Sequence, residues 1–268
     1  MSILKSDNVY SFDNVNECIY CGSKEQLTDE HIVPFALGGN FILPKSSFKS
    51  CAAITSLDER KVLKGFMLKG RIVANMPTRR KKDRPTHLKT MLLDEYDNVT
   101  EIDLPVSEGV ATIHLPIVEP PAILTGATFN STVEFKGIDT IHVGKNPVQV
   151  ASTHGKTGIR FEDKIDLNAY LRIIAKIAHA YHVANLGLFS RSESPLLPLI
   201  LSKAKGLNNW IGNAGKAPNN ASDDCGQILW CTHHNVKNIN YTCLKMFASN
   251  PGGTYISATR VPGWALYS

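Results

Sequence analysis

Glu30-His31 is the pair in this chain best suited to chemistry. A histidine titrates near neutral pH and can take a proton from water. A carboxylate beside it can hold a hard divalent cation through oxygen. A base, plus a cation that stabilises charge on a phosphate and its leaving oxygen, is what nucleic-acid hydrolysis requires, provided a scaffold fixes both to within about an ångström. Cys18-Ile19-Tyr20-Cys21 is a Cys-x2-Cys knuckle, and a lone Cys51 follows it. Cysteines spaced this way in a reducing compartment point to metal more than to disulfides. Gly38-Gly39 permits a tight turn or a close backbone approach to phosphate. Arg79, Arg80, Lys81, Lys82 and Arg84 lie in a strip, residues 61–89, that holds ten cations and a single acid, Asp83. A local cationic strip favours a polyanion such as nucleic acid.

In order along the chain stand Cys18-x2-Cys21, Glu30-His31-Ile32-Val33-Pro34, Ala36-Leu37-Gly38-Gly39-Asn40, Cys51, Ile54-Thr55-Ser56, Glu59 and Arg84-Pro85. This series resembles an HNH endonuclease of the ββα-metal fold. Ala175-Lys176-Ile177-Ala178-His179 is similar to the long C-terminal extension of such proteins. The resemblance implies a DNA endonuclease. His31 would be the general base, with Glu30 and Asn40 in the same catalytic set. Glu30 stands where the family carries a metal-binding Asp, and would share Mg2+ or Mn2+ with a helix ligand, for which Glu59 is the charged candidate. Cys18, Cys21 and Cys51 would hold a structural Zn2+, and Arg79, Arg80, Lys81, Lys82 and Arg84 would grip the DNA backbone. Two positions depart from the pattern. Phe48 replaces the cysteine that would complete the zinc site, so either a remote ligand completes it or Phe48 fills the space as an apolar contact. Ala52, where the family often has His or Asn, cannot ligate. These defects support an alternative, a catalytically impaired scaffold that binds nucleic acid. A weaker possibility makes the C-terminal region the main unit, sensing a ligand or partner. The plainer readings are Glu59 as a solvated helix carboxylate, His179 and His182 as core histidines, and Cys231-Thr232-His233-His234, with Cys225 nearby, as strand rather than metal cluster.

Positioning these residues calls for an α+β chain: an N-terminal ββα-metal (HNH) module over 1–75, a basic connector over 76–95, and a mixed α+β domain with a long central helix over 96–268. In the first module the Glu-His strand precedes a helix over 54–64. Alternating runs at 99–104, 110–118, 132–135, 140–143 and 158–161 read as strands. Helical periodicity predicts a helix over 167–186, capped by Asp166 and stopped at Gly187. A shorter helix is expected over 196–205, ended by Gly206. Strands follow at 227–232, 240–247 and 254–260, the last two joined by an Asn250-Pro251-Gly252-Gly253 turn. At 268 residues and 43% hydrophobic, the chain can bury a core without staples. The net charge of +5 is mildly basic. The N-terminus lacks an apolar signal segment and no run approaches a bilayer span, so the expected location is cytoplasmic, with no membrane partner.

Overall fold

The computed structural model describes residues 9–213, 222–224, 226–249 and 252–264. Cys225, Asn250 and Pro251 lie outside the described residues. The fold is mixed α+β. Strands β1 (Tyr10–Ser11), β2 (Leu27–His31) and β3 (Phe41–Phe48) form one sheet in the order β1-β3-β2, with β2 antiparallel to β3. Helices α1 (Lys49–Leu63) and α2 (Leu68–Val73) follow at once. α1 therefore starts before the expected boundary and covers Cys51, Thr55 and Glu59 together.

The segment expected as a connector is only partly one. Residues 81–83 make a short 3-10 turn, but His87–Leu93 forms β4. Leu88, Thr90 and Leu92 are buried at alternate positions, and that period holds the strand against the core. β4 is the centre of a sheet ordered β5-β4-β8, with β5 (Val99–Pro105) and β8 (Gly158–Arg160). β6 (Val110–Val118) is a hairpin partner of β7 (Phe135–Gly144). Short helices α3 (Ala122–Thr125) and α4 (Pro147–Thr153) lie between these strands. β7 is one strand where two were expected, and residues 132–134 are outside it.

The long helix α5 (Leu167–Leu186) has the bounds expected. The Asp166 side chain accepts the Ala169 N–H at 2.9 Å, and Gly187, at φ 82°, ends the helix. α6 (Leu196–Ile200) is shorter than expected. β9 (Ile211–Asn213), β10 (Ser222–Asp224), β11 (Gln227–His234), β12 (Ile239–Lys245) and β13 (Thr254–Arg260) form an antiparallel sheet in the order β10-β11-β12-β13-β9. α5 packs against α1, α6, β12 and β13. One apolar core runs from Cys18 and Ile32 through Met67 and Ile113 to Tyr170, Leu229 and Val261. No helix among the described residues is long and apolar enough to cross a membrane.

Candidate functional site

The chemistry-bearing pair ends β2, and a local irregularity sets its direction. The β2–β3 register shifts between Thr28 and Glu30, where Asp29 alone faces Pro44, Lys45 and Ser46, so the extra residues lie in β3. Asp29 Oδ1 accepts the Lys45 N–H at 3.0 Å, with Lys45 at a positive φ of 45°. Bulges of this kind re-aim the side chains that follow. Glu30 is consequently buried while His31 is half-buried. The turn after the strand needs both glycines. Gly38 sits at φ 91°, and a Cβ on Gly39 would come 2.2 Å from the Val33 carbonyl oxygen. The close backbone approach anticipated at this turn is thus to the protein's own strand end.

The His31 ring lies 5.9 Å from Phe35 in an edge-on arrangement, and the Arg79 guanidinium lies over the same Phe35 ring, also at 5.9 Å. Burial first, then the Lys176 and Arg79 charges, lower the His31 pKa from 6.5, so the imidazole is neutral at pH 7.

Behind His31 lies a residue whose role the sequence did not signal directly. Lys176, from the middle of α5, is 2% exposed. Its ammonium sits 2.5 Å from Glu30 Oε1 and 3.1 Å from Glu59 Oε1. It also donates to the His31 carbonyl at 2.5 Å and lies 3.4 Å from the Ile32 carbonyl. Burial opposes its charge, but Glu30 and Glu59 outweigh that and raise its pKa. Glu30 and Glu59 thus meet, as a shared cation would require. The cation they meet is a lysine, so a divalent ion does not fit on that pair as it stands. The Tyr20 phenol is buried beside them; burial, followed by the Glu30 and Glu59 charges, raises its pKa well above 10.0.

The same face of α5 carries two more polar groups at helical spacing. Arg172 Nη1 lies 3.7 Å from Asp58 Oδ1. His179 is buried, and its Nε2 donates to the Ile19 carbonyl at 2.9 Å, inside the cysteine knuckle. Residues 172, 176 and 179 fall on one stripe of a helix. A charged residue at the centre of an otherwise apolar helix was the available signal. His182 is also a core residue, its Nδ1 2.8 Å from Thr259 Oγ1.

The knuckle is closed by two backbone bonds, Cys18 N–H to Ser23 O at 2.7 Å and Gly22 N–H to Cys18 O at 2.8 Å. Cys51, on the first turn of α1, completes a trio whose sulfurs all lie within 4.8 Å of one another. Tetrahedral zinc thiolates have sulfurs at comparable separations, so these three residues can bind a metal ion such as zinc. Among the described residues no fourth Cys, His, Asp or Glu joins them. Phe48 packs against the apolar core. For Cys21, burial is outweighed by the Ser23 backbone bond, the Cys18 and Cys51 thiols and the Arg191 charge, and its pKa is lowered.

The basic strip divides. Arg79, Arg80, Lys81 and Lys82 are exposed. Arg84 turns inward, donating to the Met76 and Ile72 carbonyls at 2.8 Å each and so capping the end of α2. Its guanidinium is thus engaged with backbone carbonyls, unlike its four exposed neighbours. Arg71 does the same deeper down, donating to Ala36 O at 2.7 Å, Leu63 O at 2.6 Å and Pro77 O at 3.1 Å. Burial, then the Arg84 charge, lowers its pKa to about 10.

Asn40 stands just before β3. Its N–H donates to Asp224 Oδ1 at 2.5 Å, and the next N–H, of Phe41, donates to the same oxygen at 3.1 Å. Asp224 belongs to β10, at the far end of the chain, and nothing in the sequence links the two. Burial raises its pKa to about 6, against the pull of those two donors. Cys231 and His233 lie on β11 and bond across the strand pair to Thr242 and Asn240. A shallow cleft elsewhere, lined by Lys69, Thr112, Arg160 and Asp163, shares no residue with the His31 face. No family model, curated protein or solved structure matches this chain.

Proposed function

We propose that this protein hydrolyses phosphodiester bonds of nucleic acid at the His31 face, as an HNH-type endonuclease with DNA as the substrate class. The observation that carries this reading is the state of His31. It is a half-buried imidazole at the end of β2, packed on Phe35, over whose ring the exposed Arg79 also lies, and burial lowers the imidazole pKa. A neutral imidazole can accept a proton from water as that water attacks phosphorus. The Arg79 guanidinium can meet phosphate oxygens in a forked, charge-assisted contact. Arg80, Lys81 and Lys82 add salt-dependent attraction along the backbone. Asn40 sits at the rim of the same turn, held there by Asp224. Zinc on Cys18, Cys21 and Cys51 would supply no chemistry to the phosphate and would pin the knuckle to α1.

The His31→Ala protein is expected to lose plasmid nicking while keeping its unfolding midpoint and its DNA affinity. Undiminished nicking by that variant would sink the proposal. The acid limb of the wild-type rate profile should fall below pH 6.5, because burial and two cations lower the His31 pKa from that value. A second reading, binding without turnover, is favoured by the Lys176 contacts with Glu30 and Glu59. Saturable DNA binding with no nicking in Mg2+, Mn2+ or chelator would select it.

A further inference from the structure

We infer that the Lys176 ammonium is the resident cation of this site, standing where a divalent ion would otherwise bridge Glu30 and Glu59. Four oxygens surround Nζ: Glu30 Oε1 at 2.5 Å, Glu59 Oε1 at 3.1 Å, and the His31 and Ile32 carbonyls at 2.5 and 3.4 Å. They come from β2, the residue after it, and α1. An all-oxygen shell of this kind is what a hard cation selects, and here three ammonium protons serve it. A magnesium ion on both carboxylates would lie about 2.1 Å from each oxygen. That position overlaps the volume Nζ occupies, and the two positive charges would repel.

Lys176 has no alternative place. It is 2% exposed, and α5 is packed on α1, α6 and the β12–β13 strands. The crevice beside it, lined by Thr55, Asp58, Glu59, Arg172 and Ile200, is too tight to admit water. Asp58, the next acid on α1, already faces Arg172 and Lys61 at 3.7 and 3.6 Å. The lysine therefore offsets one of the two carboxylate charges, bridges both groups, and holds the backbone of the candidate base through the His31 carbonyl. It is a positioning residue, since it does not reach the surface where a phosphate would lie.

This inference deepens the reading of the His31 face, but it concerns which cation fills the site, and that is measured without cleavage. Mn2+ titration of the full-length protein, followed by electron paramagnetic resonance, is the test. Wild type and Glu30→Gln should bind the same amount of Mn2+, because Glu30 ligates none. Lys176→Ala should gain one site with Kd of roughly 0.1–1 mM, lost again in Lys176→Ala/Glu30→Gln. A wild-type Mn2+ site that disappears in Glu30→Gln or Glu59→Gln overturns the inference, and so does a folded Lys176→Ala protein without a new site. Lys176→Met, which keeps the length of the stem, replaces Lys176→Ala if the latter does not fold, and the wild-type comparison stands without either. Nicking activity enters none of these readouts, so loss of the nuclease reading and loss of this one are separate results.

Discussion

At the scale of single residues, like side chains in one basic strip do different work. Arg71 is buried and its donors are used on three carbonyls. Removing it leaves the buried Leu63 carbonyl without this partner, worth about 1–3 kcal/mol, and frees the part-buried Ala36 and Pro77 carbonyls. Arg71→Ala should therefore cost about 2–3 kcal/mol in a denaturant titration. Lys81 and Lys82 are exposed. Each change to Ala should leave stability within about 0.5 kcal/mol and lower the salt slope of DNA binding by about one. Unaltered binding in both variants would remove the strip from the proposed interface. The sequence showed the cluster of cations but could not separate inward from outward members, because that depends on which carbonyls the fold leaves within reach.

At the scale of elements, β2, α1 and α5 build the site together. The β3 bulge opposite Asp29 accompanies a buried Glu30 and leaves His31 at the rim. α1 carries Cys51 and Glu59, so it serves the thiol trio and the lysine cluster at once. If zinc fills the trio, elemental analysis should find about one zinc per chain, and Cys51→Ser should abolish it and lower the melting temperature. A zinc content unchanged by Cys51→Ser would place the metal elsewhere. α5 was fully legible, since Asp166 and Gly187 are local start and stop signals and its apolar period is long. β4 was missed because its polar, proline-containing approach dominated the reading, while the alternation of Leu88, Thr90 and Leu92 decides its state.

At the scale of the whole molecule, the apolar core passes without a break from the knuckle to the C-terminal sheet. Two buried histidines of α5 make that core sensitive to acid. Burial lowers the His179 pKa to about 4, and burial with the His179 and Arg260 charges lowers that of His182 to about 3. An unfolded histidine titrates near 6.5, so the unfolded chain takes up these protons first. The stability they contribute is present in full above about pH 7 and is lost as pH falls from about 6.5 toward 4, by roughly 3 kcal/mol per histidine. The two contributions are not additive, since the His179 charge is one cause of the His182 shift. A denaturation midpoint that stays flat between pH 7 and pH 4.5 would contradict this assignment.

The sequence by itself determined the local features: the knuckle, the Glu-His strand end, the glycine turn, the long capped helix and most of the strands. Each rests on spacing or on a backbone preference that acts over a few residues. Only the tertiary structure decided what meets the functional pair. Lys176 is 145 positions from His31, and Asp224 is 184 from Asn40. Contacts at such separation leave no period or motif in a chain. They arise when burial of α5 carries a charged side chain inward, where the cost of desolvation holds it against the nearest carboxylates.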